Sequence, residues 1–171
     1  MADHSVLVVF HSYTGVTEKV AEAISERLGA DLERIREVRP YPTDYRAKGC
    51  RNLLGFGRAG LFSVLRLGVP IHEAQRDPAA YGLVVLGTPV YGGGMAHVVR
   101  AYVNRYRDRL NDVAFFCTGE DPNGVRVFGL MEQACGKAPR AVRAFYSPKV
   151  RGDDLTGVDA FASAVRGAAM G

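Results

Sequence analysis

Residues 11 to 17 read HSYTGVT, which puts the hydroxyls of Ser12, Thr14 and Thr17 and the glycine Gly15 within six consecutive positions. Such a set can hold a phosphate dianion without arginine. The hydroxyls donate, a glycine lets the backbone come close, and the start of a helix offers unpaired N–H groups and partial positive charge. The same residues also suit an ordinary helix start, with Thr14 as the N-cap. Two further loops bear on the choice: GTPVYGGG, Gly87 to Gly94, and CTGEDPNG, Cys117 to Gly124.

These loops need elements to position them. Short apolar runs alternate with helical patterns: Val6 to Phe10 then Thr17 to Leu28; Asp31 to Val38; Leu83 to Gly87 then Ala96 to Arg107; Val113 to Cys117 then Val125 to Cys135; Ala141 to Phe145 then Asp154 to Arg166. Strands that are almost wholly apolar are buried on both faces of a parallel sheet. The class expected is therefore α/β, doubly wound. In the first helix Val20, Ala23, Ile24 and Leu28 recur at helical spacing, and Gly29 follows as the terminating residue. Ligands of open α/β sheets sit beyond the carboxyl ends of the strands, so the three loops are expected at one rim.

Length and composition set the outer bounds. The 171 residues are 47% hydrophobic and 23% charged, enough for one buried core, so a single domain over 1–171 is expected. The apolar run Val6 to Phe10 is too short for a signal core or a membrane span, and the expected location is the cytoplasm. Cys50, Cys117 and Cys135 form no CxxC pair and read as reduced packing thiols. The net charge of +4 is spread without a basic block or an aromatic-interleaved stripe, which argues against nucleic acid.

The loops resemble those of the flavodoxin-like FMN proteins. The family's phosphate loop, (S/T)-x-T-G-x-T after the first strand, matches Ser12-Tyr13-Thr14-Gly15-Val16-Thr17; LVVLGTPVYGGGMAHVVRAYV is similar to its third strand, flavin loop and helix; CTGED is similar to its last flavin loop. The resemblance covers about two thirds of the chain. It implies a five-stranded parallel sheet in the order 2-1-3-4-5 and FMN as cofactor. It also implies that Thr88, Pro89, Val90, Tyr91 and Gly92, with Thr118, Gly119 and Glu120, border the isoalloxazine ring, Tyr91 stacking on it. Relatives commonly carry Asn where this chain has Val16, which removes one side-chain partner for the phosphate.

The function so implied is an FMN-dependent redox protein: an NAD(P)H-dependent oxidoreductase of quinones or small electrophiles, or else an electron carrier between proteins. Flavodoxin carriers are strongly acidic as a family, and the basic charge here favours the enzyme. A flavin-free binding module on the same fold is the reading from another class, and a homodimer is left open. Glu120 and Asp121, if turned inward, would lower the potential of a bound flavin; the plainer reading is a solvated turn before Pro122.

The segment from about 45 to 72 reads as an insertion with five basic residues and no acid. Its GFGRAG, Gly55 to Gly60, matches a dinucleotide fingerprint in letters but lacks the preceding strand. A helix and loop packed on the sheet is the plain reading; a mobile lid, or a docking face over 51–67 for a partner, an anionic cofactor or less favourably a membrane surface, is the rival. No histidine has metal-ligand spacing. Cys135 to Arg140 is one residue short of a phosphatase loop, and G-x-S-x-G is missing.

Overall fold

The computed structural model describes residues 5–38, 69–120 and 125–169. Its elements, in chain order, are β1 (Val6–Phe10), α1 (Val16–Leu28), β2 (Asp31–Arg34), β3 (Leu83–Tyr91), β4 (Gly94–Met95), α2 (His97–Tyr106), β5 (Asp112–Gly119), α3 (Val125–Cys135), β6 (Val142–Tyr146), α4 (Ser147–Arg151) and α5 (Val158–Ala169). Five strands pair in parallel in the order β2-β1-β3-β5-β6, which is the expected 2-1-3-4-5 order, and β4 pairs antiparallel with the end of β3. The order reverses between β1 and β3, and there the strand ends open a crevice.

Alternation along the strands sorts the core onto two faces. Leu7, Val9, Val84, Leu86, Val113, Phe115 and Cys117 pack with Val98, Val99, Tyr102 and Val103 of α2 and with Val127, Phe128 and Met131 of α3. Val8, Phe10, Val85, Ala114 and Phe116 pack with Val16, Val20, Ala21 and Ile24 of α1 and with Val158, Phe161 and Val165 of α5. At Gly87 a side chain is forbidden by space. A Cβ there would stand 2.1 Å from Cζ of Phe116, its register partner on β5. Cys117 and Cys135 are buried, and burial pushes the thiol of Cys135 up to about 12; Cys50 lies outside the described residues.

Several boundaries differ from the sequence expectation. β2 stops at Arg34 rather than Val38, because its partner β1 ends at Phe10 in register with Arg34. Residues 36–38 turn instead to 70–72, with Val38 N donating to Pro70 O at 3.1 Å, His72 N to Arg36 O at 2.9 Å, and an antiparallel bridge between Glu37 and Ile71. Most of the expected insertion at 45–72, GFGRAG included, lies outside the described residues.

β3 runs four residues beyond Gly87. Thr88 to Tyr91, expected as loop, continue the strand, and Gly92 and Gly93, at φ 57° and 75°, make the two-residue turn into β4. α5 starts at Val158 instead of Asp154, since Asp154 Oδ1 accepts from Thr156 N in a turn ahead of it, and the helix continues to Ala169 rather than ending at Arg166. Among the described residues no helix is long and apolar enough to cross a membrane.

Candidate functional site

β1 ends at Phe10, and His11 to Gly15 cross the rim to α1. Gly15 occupies the N-cap position with φ 82° and ψ −11°, a left-handed conformation that fits glycine. Thr14 is exposed and does not cap the helix, so the expected Thr14 cap is replaced by a backbone turn. The Gly15 N–H donates to Ser12 Oγ at 3.0 Å, closing the loop on itself. Lys19 N makes the first helical bond, to Gly15 O at 2.9 Å, which leaves the amides of Val16, Thr17 and Glu18, in the first turn, without a partner among the described residues. A Cβ on Gly15 would meet nothing within 4 Å, so the space over this turn is open.

The positive character here comes from the helix end. Lys19 pairs with Asp153, and Arg34 is held by Glu18 at 2.7 Å and by the Ser12 carbonyl at 2.6 Å. Arg34 thus fastens the loop to β2.

Three loops meet at this rim. Thr17 Oγ1 and Thr118 Oγ1 are 2.8 Å apart, both buried, and tie the first loop to the end of β5. The rings of Tyr13 and Tyr91 have centroids 6.0 Å apart, joining the first loop to the β3–β4 hairpin. Thr88 is wholly buried and engaged in that hairpin: its Oγ1 accepts from Ala96 N at 2.9 Å and donates to Pro89 O at 3.0 Å. Pro89 is buried, Val90 and Tyr91 half-buried and Gly92 exposed; Gly119 is half-buried at the end of β5. Glu120 is exposed and accepts from Arg151 at 2.6 Å; Asp121 lies outside the described residues.

Next to Tyr13 stands a group that sequence reasoning missed. The Tyr13 hydroxyl donates to Glu37 Oε1 at 2.5 Å and lies 3.3 Å from His97 Nε2. His11 Nε2 is 3.6 Å from Glu37 Oε1, while its Nδ1 faces the Ile35 carbonyl at 3.4 Å. Burial holds the His11 imidazole down, at about 4, lowers that of His97, and raises the Glu37 carboxyl despite the bond from Tyr13. His11 continues the inward alternation of Leu7 and Val9, the one local signal that could have found it; Glu37 and His97 reach Tyr13 across 24 and 84 residues.

No family model and no curated protein matches the chain. Solved structures do. A flavoprotein in complex with FMN from Lactobacillus acidophilus is similar over 93% of this chain and 99% of its own, at 18% identity and a TM-score of 0.71. Flavodoxin 2 from Bacillus cereus covers 95% of this chain and 98% of its own, at 15% identity and a TM-score of 0.54. An NADH:FMN oxidoreductase in its apo form covers 98% of this chain and 89% of its own, at 13% identity and a TM-score of 0.56. The chain has the flavodoxin-like fold.

Proposed function

We propose that the chain binds FMN at the β1/β3 crevice and works as an FMN-dependent redox protein. The observation that carries this is the entry to α1: a left-handed Gly15 with open space on its side-chain side, the amides of Val16 to Glu18 without a partner among the described residues, and the Ser12 and Thr14 hydroxyls in the same loop, Thr17 Oγ1 being engaged with Thr118. Helix starts of this form attract phosphate. Ser12 Oγ already accepts from Gly15 and keeps its own proton to donate. Thr14 is exposed and free to turn. Val16, where relatives commonly have Asn, contributes its amide alone.

FMN, when bound, supplies one- or two-electron transfer. The chain supplies position. Tyr91 stands on the hairpin where a flat ring would lie, and Thr88 braces that hairpin from within. Thr118 sets the third loop against the first. The Glu120 carboxylate, paired with Arg151, would border the same crevice at its outer edge.

The net charge of +4 favours an enzyme taking electrons from NAD(P)H and passing them to a quinone or another small electrophile, over an acidic-type carrier. The structural likeness to both an NADH:FMN oxidoreductase and a flavodoxin is compatible with either. Two measurements test the reading. Titrating the purified chain with FMN should quench flavin fluorescence to a saturating endpoint, and an unchanged signal would sink the proposal. NADH or NADPH oxidation with a quinone, without an added reductase, should then turn over; reduction only through a flavoprotein reductase would assign a carrier instead.

A further inference from the structure

Tyr13 is the only side chain that touches both Glu37 and His97 within hydrogen-bond reach among the described residues, and all three lie at the crevice end of the sheet. Glu37 is buried at the foot of the antiparallel neck formed by 36–38 and 70–72. His97, wholly buried, is the first residue of α2. Tyr13 belongs to the loop that opens α1, and its ring lies beside Tyr91. A buried acid, a hydroxyl and an imidazole in line can be satisfied in two ways. In one, Glu37 is a carboxylate, Tyr13 donates to it, and an imidazolium at His97 donates to Tyr13. In the other, Glu37 is a neutral acid donating to Tyr13, which donates in turn to a neutral His97. The two differ by one proton moved at each bond. No electron is transferred and no other bond changes.

We propose that Glu37, Tyr13 and His97 share one proton, which passes between the acid and the imidazole through the Tyr13 hydroxyl as charge at the neighbouring crevice changes. His11 closes the far end, with Nε2 facing Glu37. The surroundings favour the neutral arrangement. Burial opposes charge on Glu37, His11 and His97 alike, and the α2 N-terminus disfavours an imidazolium at His97. Arg34 faces His11 from β2 and opposes its protonation. Tyr91 stands beside Tyr13 from β3, Arg100 follows His97 one turn along α2, and Arg36 and His72 lie outward on the neck. Negative charge arriving at the crevice would tip the balance toward an imidazolium. That last step rests on the flavin reading; the sharing of the proton does not.

The test starts on the full chain without cofactor. Histidine ring ¹⁵N and Glu side-chain ¹³C spectra followed against pH should show His97 and Glu37 responding at a common inflection. In Tyr13→Phe the common inflection should split, and in Glu37→Gln the His97 inflection should fall by about half a pH unit or more, as expected on losing a nearby carboxylate. Independent curves for Glu37 and His97 in the unaltered chain would overturn the proposal without any variant having to fold. So would a His97 curve in folded Tyr13→Phe that superimposes on the original. With FMN bound, the midpoint potential plotted against pH should bend at the shared inflection and lose that bend in Tyr13→Phe; a bound flavin with no bend would overturn the link to the crevice. Failure to bind FMN removes the flavin reading and leaves the cofactor-free titration to decide the shared proton.

Discussion

Thr17 Oγ1 and Thr118 Oγ1 meet at 2.8 Å in a buried contact between residues 101 positions apart. One belongs to the first turn of α1 and the other to the last turn of strand in β5, so the pair fixes the distance between the loop expected to hold a phosphate and the loop expected to border a ring. Thr118→Val keeps the shape and leaves the Thr17 hydroxyl buried without that partner. A stability loss of about 1–3 kcal/mol is expected from the stranded group. Urea unfolding measures it, and FMN affinity should fall alongside. Unchanged stability would show that the hydroxyls find other partners.

Gly15 is required by conformation, since space above it is open. Gly15→Ala should cost about 1–2 kcal/mol through the left-handed φ of 82°. A D-alanine introduced there by semisynthesis suits the left-handed backbone, avoids that strain, and should restore stability. Equal losses from both replacements would contradict this assignment.

Gly87 presents the opposite case. Its φ is unremarkable, but an added methyl group collides with the Phe116 ring at the centre of the sheet. Gly87→Ala should destabilise by about 1–3 kcal/mol, the usual range for overpacking. Shrinking the ring relieves the collision, so Gly87→Ala with Phe116→Leu should recover part of the loss in a double-mutant cycle. Strict additivity would rule out the predicted clash.

Local sequence carried the framework well, and the reasons lie in particular residues. Val6 to Phe10 is apolar without interruption because both faces of β1 are covered, and that needs no partner to be read. Gly29, at φ 62°, ends α1 as its position foretold. The hairpin at Gly92 and Gly93 was hidden because a glycine run reads as loop whether or not the flanking residues pair. Glu37 was invisible for a different reason. In IREVRP it looks like one more charge on an exposed strand, and only the approach of Tyr13 and the 70–72 segment makes it a buried acid. Contacts between distant positions leave no trace in spacing.

Glu120 and Arg151 pair at 2.6 Å, both exposed, so the acid's charge is partly offset by its neighbour. Removing each partner separately should move a bound flavin in opposite directions. Glu120→Gln leaves the cation and raises the two-electron midpoint potential; Arg151→Gln leaves the anion and lowers it. Redox titration of the two variants reads the signs directly. Shifts of the same sign, or none in either, would place the pair too far out to affect the cofactor.

The buried cluster also gives stability a defined pH dependence. The His11 imidazole is held at about 4, below its usual 6.5, so the unfolded chain binds more protons than the folded one between those two values. Stability from this group is therefore fully present above about 6.5 and is lost as pH falls toward 4, by at most about 3 kcal/mol at 1.36 kcal/mol per unit. Glu37 acts with the opposite sign. Its carboxyl is raised from 4.5 in the fold, so the folded chain holds the proton longer and stability falls as pH rises through that group's range. Urea midpoints from pH 4 to 8 should accordingly rise more steeply with pH in Glu37→Gln than in the original chain, and less steeply in His11→Gln, where the lowered His97 still contributes. An original chain whose stability is level over that range, with His11→Gln indistinguishable from it, would show that His11 is protonated in the fold or exposed to water, contrary to its place beneath the loop.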